Sequence, residues 1–229
     1  GSLVMKKGFS KSLIVIGIVI LIWSFITLAT DWVAPIFIPS PLDIARAYWD
    51  MRDNLGIATL TSLMITLSGF GIGLIVGMGI GLLMAYSKGF LDAVGPLMEL
   101  TRPVPVFALI PLFMLWFGIG FWPQILLVAL GVSAILGVET YEAIRNLPLV
   151  YIQAASNLGA DKKTVFRTVV IPYIFPHLIG AIRVAAASSW GLDVAAEFMG
   201  VQVGLGYNMI VQQIYLNTAG ILAIVFIYS

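Results

Sequence analysis

Cysteine is absent from the 229 residues, which excludes a disulfide framework, a catalytic thiolate and a cysteine-ligated zinc site. Charge is scarce as well: 10% of residues are Asp, Glu, Lys or Arg, against roughly 25% in soluble domains. The net charge of +1 excludes a nucleic-acid partner held by electrostatics. Histidine occurs once, at His177, which reads as an interfacial residue beside Pro176 rather than a proton relay. What the chain has in abundance is apolar surface. Hydrophobic residues make up 60% of it, or about 137 positions. A soluble domain of this size buries only about 70% of its surface, so a soluble enzyme is excluded, and so is intrinsic disorder. At about 20 residues per membrane crossing, 137 supply five or six spans.

Residues 1–4 read as an artificial leader, with Met5 a plausible start. Lys6, Lys7 and Lys11 precede an apolar run, Ser12 to Ala29. A cleaved signal peptide is the alternative, but 18 residues with Trp23 inside exceed a signal core of about 7–15. A retained first span is expected. Further spans are expected at Leu60–Tyr86, Val106–Ile119, Gln124–Val138 running on to Ile144, Leu178–Met199 and Ala219–Tyr228. Pro111 predicts a broken or tilted third span that begins nearer Val104. The last stretch has ten residues, about 15 Å of helix, so the natural C-terminal end is expected to lie further on.

The positive-inside rule sets orientation. With six spans and a cytoplasmic N-terminus, nine basic residues fall inside: Lys6, Lys7, Lys11, Lys88, Arg102, Arg145, Lys162, Lys163 and Arg167. Arg46 and Arg52 fall outside, and Arg183 lies within a span. Residues 31–59 and 200–218 are therefore expected to face outward, and 145–176 to form a cytoplasmic loop.

Glycines 69, 71, 73, 77, 79 and 81 lack the strand–turn–helix context of a phosphate loop. Gly73, Gly77 and Gly81 recur at i+4 and predict a close helix–helix approach instead. The aromatics Trp116, Phe117, Phe121 and Trp122 read as an interfacial belt, and Met64, Met78, Met84, Met98 and Met114 as packing.

The longest polar interruption after the N-terminal third is Tyr141–Thr168. Gln153-Ala154-Ala155-Ser156-Asn157 leads through Leu158 to Gly159, which predicts a helix stop. Asp161 predicts the cap of a second short helix containing Thr164, Val165 and Phe166. Pro172 and Pro176 are expected to separate it from the next span. Such a helix–Gly–helix unit suits docking into a groove of a partner, or it is an ordinary interfacial connector; these residues by themselves leave both open.

Gln153-Ala154-Ala155, three residues, Gly159, nine residues, Val169, one residue and Ile171-Pro172 resemble the signature loop of ABC importer permeases. The family pattern is Glu-Ala-Ala, three spacers, Gly, nine spacers, Ile, any residue, Leu, Pro. The spacing matches throughout, with Gln153 for Glu, Val169 for Ile and Ile171 for Leu. Pro39-Ser40-Pro41, Arg102-Pro103-Val104-Pro105, Leu109-Ile110-Pro111-Leu112, Leu115-Trp116-Phe117-Gly118-Ile119-Gly120 and Gly204-Leu205-Gly206-Tyr207 are similar to the nitrate/sulfonate/taurine-type branch. The resemblance covers about residues 35–225. It implies one all-α transmembrane domain over 1–229 with the type I importer permease fold, set in a prokaryotic inner membrane. It also implies a homodimer, two cytoplasmic ATPase subunits and an external substrate-binding protein. Gln153, Ala154, Ala155, Gly159, Ala160, Val169, Ile171 and Pro172 would couple to the ATPases. ATP and magnesium would sit in those partners, with no cofactor, resident metal or catalytic residue in this chain.

Three charges inside spans need an explanation, since one at mid-bilayer costs about 2.5–3.5 kcal/mol. Arg183, expected about one turn from the inner end, either snorkels or lines the translocation path. Arg183-Val184-Ala185 and Ala196-Glu197 match the family, whereas Asp193 stands where relatives carry an apolar residue. Asp193 and Glu197 are spaced i, i+4 and share a helix face. That face is expected to meet a dimer cavity or polar neighbours. If Asp193 lines the path, it disfavours a simple anion; otherwise it has a structural role. The expected cargo is a small solute such as nitrate, bicarbonate, taurine or a sulfonate, or else a vitamin precursor or heterocycle. Two other classes stay in view: an ion-gradient-driven transporter, which needs ionisable relays across several spans, and an intramembrane enzyme, which needs catalytic groups on two helices.

Overall fold

In the computed structural model, residues 2–101, 106–118, 120–200 and 205–229 are described. Arg102-Pro103-Val104-Pro105, Ile119 and Gly204 of the motifs, and the expected start near Val104, lie outside them. Every regular element among the described residues is helical: α1 Ser2–Ser24, α2 Pro41–Tyr86, α3 Lys88–Leu100, α4 Ile110–Phe117, α5 Phe121–Arg145, α6 Leu149–Asn157, α7 Lys162–Val165, α8 Ile171–Gly200, α9 Leu205–Ile214 and α10 Thr218–Tyr228. Wide π turns continue α1 through Phe25–Ala29 and join α7 to α8 through Phe166–Val170.

Four helical stretches are long and apolar enough to cross a membrane: Lys6–Ala29, Pro41–Tyr86, Phe121–Arg145 and Lys162–Glu197. The expected third and sixth spans are the short ones. The third is indeed broken. A 3-10 turn at Val106–Leu109 precedes the eight residues of α4, where Pro111 sits in the first turn. Gly118, at φ +81°, ends it. The sixth is the eleven residues of α10.

Two starting points differ from expectation. The helix that carries the second span begins at Pro41 rather than Leu60 and runs for 46 residues, about 69 Å, longer than one crossing needs. Its start is a reciprocal cap: the Ser40 N–H donates to Asp43 Oδ2 at 3.0 Å, and the Asp43 N–H to Ser40 Oγ at 3.1 Å. Pro41 follows the cap, where its missing N–H costs nothing. Pro172 and Pro176 do not separate the short helix from the next span either. They lie in the opening turns of α8, which starts at Ile171 rather than Leu178. The π turn ends at Val170, two residues before Pro172, so the proline falls just past the point where the regular bonding ladder is interrupted. Arg183 is consequently twelve residues into α8, about 18 Å from its start rather than one turn.

The chain divides into two compact units. In the first, Gly1–Thr59 with Tyr207–Ser229, Ile44, Ala47 and Ala223 form a small core with Trp23 and Tyr48 against it. Trp23 Nε1 donates to the Pro39 carbonyl at 2.8 Å, Tyr48 Oη to the Ala223 carbonyl at 2.5 Å, and Thr218 Oγ1 to the Ile36 carbonyl. The apolar face of α1 is exposed along most of its length.

In the second unit, Leu60–Gly206, α5 packs along α8. Val128, Val132 and Leu136 of α5 meet Ala181, Ala185 and Leu192 of α8. The same helix, α5, receives α2 through the glycine stripe. A Cβ on Gly69, Gly73, Gly77 or Gly81 would lie 2.6–2.8 Å from Val128, the Ala129 carbonyl, Leu136 or Thr140. Gly71 and Gly79 face open space. The i+4 glycines thus mark a close approach, as their spacing predicts. Met84 is buried, Met98 packs on Gly137, and Met78 and Met114 lie against core clusters, whereas Met64 is exposed. Trp116, Phe117, Phe121 and Trp122 are all exposed around the Gly118 break.

Candidate functional site

The connection between α5 and α8 is a built element. Pro148 precedes α6, and Gly159, at φ +89°, ends it. The Gly159 N–H donates to the Ser156 carbonyl at 3.0 Å and the Ala160 N–H to the Ala155 carbonyl at 3.1 Å. These are the two bonds of a Schellman stop. Asp161 then caps α7, its Oδ1 accepting from the Thr164 N–H at 2.9 Å. The Thr164 hydroxyl first, and then this backbone N–H, hold the Asp161 carboxyl below its ordinary range. The helix stop and the cap both fall where the sequence predicts them.

A second core cluster fixes this element from below. Ala143, Leu147, Val165, Val170, Ile174 and Leu178 are buried together, and Ile152, Ala155, Ala160, Val169 and Ile171 pack on them. The motif residues therefore divide into two sets. Ala155, Ala160, Val169 and Ile171 anchor the element, while Gln153, Ala154, Gly159 and Pro172 are exposed. Leu158, at the tip, is 89% exposed. The two adjacent alanines face different ways, one toward the core and one toward open space.

Asp193 and Glu197 lie one turn apart on α8, 0% and 1% exposed. Ser62 Oγ, on α2, donates to Glu197 Oε1 at 2.7 Å and lies 3.0 Å from Oε2. Ser62 Oγ also accepts the Leu205 N–H at 3.0 Å, so α9 starts against the same hydroxyl. Thr66, one turn along α2 from Ser62, lies beside Asp193. Among the described residues, neither the Thr66 hydroxyl nor either Asp193 oxygen has a hydrogen-bond partner in good geometry. The carboxylate face thus meets hydroxyls of a neighbouring helix, the polar-neighbour alternative of the two expected. Sequence reasoning missed Ser62 and Thr66. Their signal was present: two hydroxyls spaced i, i+4 in an apolar run, matching the spacing of the carboxylates.

Arg183 is exposed on α8 and has no ion pair among the described residues; His177 is exposed beside Tyr173. No group of three or more metal-ligating side chains occurs among the described residues. One further feature was not foreseen. An open groove of about 550 Å³ lies between the ends of α2 and α5, the start of α3, and α6–α7.

Residues 77–229 match the family described as "Binding-protein-dependent transport system inner membrane component". The chain is 30% identical over 198 residues to the taurine transport system permease protein TauC of Escherichia coli (strain K12), covering 81% of this chain and 69% of that protein. It is 27% identical over 196 residues to the formylaminopyrimidine transport permease protein ThiX of Halalkalibacterium halodurans, covering 85% and 78%. A putative aliphatic sulfonates transport permease protein SsuC of Bacillus subtilis (strain 168) is 27% identical over 230 residues, covering 98% and 82%. The fold is similar to that of an inward-facing MetNI methionine ABC transporter chain. There the TM-score is 0.60 at 20% identity, over 78% of this chain and 92% of that one.

Proposed function

The chain belongs to the family of binding-protein-dependent transport system inner membrane components, permease subunits of ABC importers, and from that premise we propose how it works. Two copies form the path. The N-terminus is cytoplasmic, and α6–α7 of each copy seats on an ATPase subunit that binds ATP and magnesium. An external binding protein delivers the solute. Closure of the ATPases pulls on α6–α7, and the pull reaches α8 through the π turn and the buried cluster beneath it. The observation that carries this reading is the division of the motif. One set of residues anchors the element to the root of α8 while the other leaves Ala154, Leu158 and Gly159 outward, as a lever needs.

Arg183 we place on the path, as the exposed charge of α8. Asp193 and Glu197 we place in its wall, where they set α8 against α2 without touching solute; their full burial supports this. A wall position removes the electrostatic objection to an anionic cargo. The likeness to taurine and aliphatic sulfonate permeases then supports a small sulfonate or zwitterion as substrate. The likeness to ThiX supports a second reading, a small heterocycle.

Ala154→Arg places a bulky cation on the docking face without disturbing the core beneath. Gly159→Trp puts a side chain where φ is +89°. Both variants are expected to insert normally and to lose solute uptake in vesicles carrying the ATPase and binding protein. Uptake at the unaltered rate by either would overturn the lever.

A further inference from the structure

The groove under the α6–α7 element has a composition of its own. Leu91, Ile144, Leu147, Ile152 and Phe166 make its walls apolar. Two cations, Lys88 at the start of α3 and Lys162 at the start of α7, join the lining, with no carboxylate among the described residues there. The Lys162 ammonium lies over the Tyr86 ring, 4.8 Å from its centre, and Tyr86 itself lines the groove. The nearest acidic neighbour in sequence, Asp161, accepts the α7 cap bond. Neither lysine makes an ion pair among the described residues, and neither Asp161 nor Asp92, one turn along α3 from Lys88, lines the groove. An open space of about 550 Å³ exceeds what a single ion needs, and a soluble anion would leave the apolar walls wet.

We propose that this groove binds an anionic phospholipid of the inner leaflet, with its phosphate between Lys88 and Lys162 and the first part of its acyl chains along the apolar walls. The inference rests on the proposed sidedness, which sets Lys88 and Lys162 at the cytoplasmic face. The chemistry is that of basic pockets between membrane helices, which take anionic headgroups. Each lysine within reach of such a headgroup contributes roughly fivefold in partitioning. The occupant would bridge α3 to the α6–α7 element and stiffen the lever without entering the transport path.

The test uses the full chain in nanodiscs of phosphatidylcholine mixed with phosphatidylglycerol. Lipid retained after detergent exchange is counted by native mass spectrometry. Phosphatidylglycerol is expected to be enriched over the bulk mixture, and the Lys88→Glu/Lys162→Glu pair to lose at least about fivefold of that enrichment. Both lysines are exposed, so the variant should fold; Lys88→Gln/Lys162→Gln gives a milder check with a partial loss. Lys6→Glu/Lys7→Glu, outside the groove, should keep the enrichment. No enrichment in the unaltered chain, or equal enrichment in the charge-reversed one, overturns the proposal. Full displacement by inorganic phosphate would also overturn it, because the acyl contacts would then contribute nothing. Ala154→Arg separates this from the lever. If that variant transports normally while phosphatidylglycerol stays enriched, the lever fails and the lipid site stands.

Discussion

Asp193 brings a second carboxylate beside Glu197 on one buried face of α8. Glu197 has Ser62 as a donor, while the Asp193 oxygens face the Thr66 side chain without a made bond. Leaving a buried polar group unmade costs about 1–3 kcal/mol, so this position is tolerated at the expense of stability. An amide in its place can donate to Glu197 and accept from Thr66. Asp193→Asn is therefore expected to raise the thermal unfolding midpoint, by the equivalent of about 1 kcal/mol. It should leave substrate preference unchanged in an uptake assay. A shifted preference would put Asp193 on the path after all. The sequence showed that these carboxylates share a face. Which helix that face meets depends on a pairing of α8 with α2 over more than a hundred residues of separation, and spacing within one helix does not encode it.

Among the elements, the glycine stripe and the capped α7 make the sharpest claims. Gly77→Leu would drive a side chain into Leu136, since even a Cβ there sits 2.8 Å away. Gly79→Leu points into open space. The first is expected to destabilise the fold by about 1–3 kcal/mol and the second to be nearly neutral, as read by thermal unfolding in detergent. Asp161 gives a pH signature. Its carboxyl is held below the ordinary range by the Thr164 hydroxyl and N–H, so the cap contributes fully above the unfolded value of about 3.9. That contribution is lost as pH falls through the lower folded value. Acid loosening of α7, followed by amide exchange at Thr164, should therefore be present in the unaltered chain. It should be absent in Asp161→Asn, whose side chain caps without titrating. Element boundaries were the least legible feature of the sequence. The Ser40–Asp43 cap was visible as Pro-Ser-Pro but not as the start of a 46-residue helix. Pro172 and Pro176 read as breaks, but α8 takes Pro172 in its first turn and carries Pro176 inside it.

For the whole molecule, apolar length carried the fold class and the spaced loop motif carried the family. What the sequence did not separate was the motif's own division of labour, since Ala154 and Ala155 are identical in kind and differ only in which side of α6 they occupy. The central claim is that α6 stands at the cytoplasmic face, within reach of an ATPase. The chain has no native cysteine, so single cysteines report sidedness on a clean background. Asn157 and Asn54 are both exposed, at the end of α6 and within α2. A membrane-impermeant maleimide applied to sealed vesicles of known orientation is the most direct measurement. The account predicts that Asn157→Cys labels only from the cytoplasmic side and Asn54→Cys only from the outer side. The opposite pattern would place α6 beyond reach of any ATPase and contradict it.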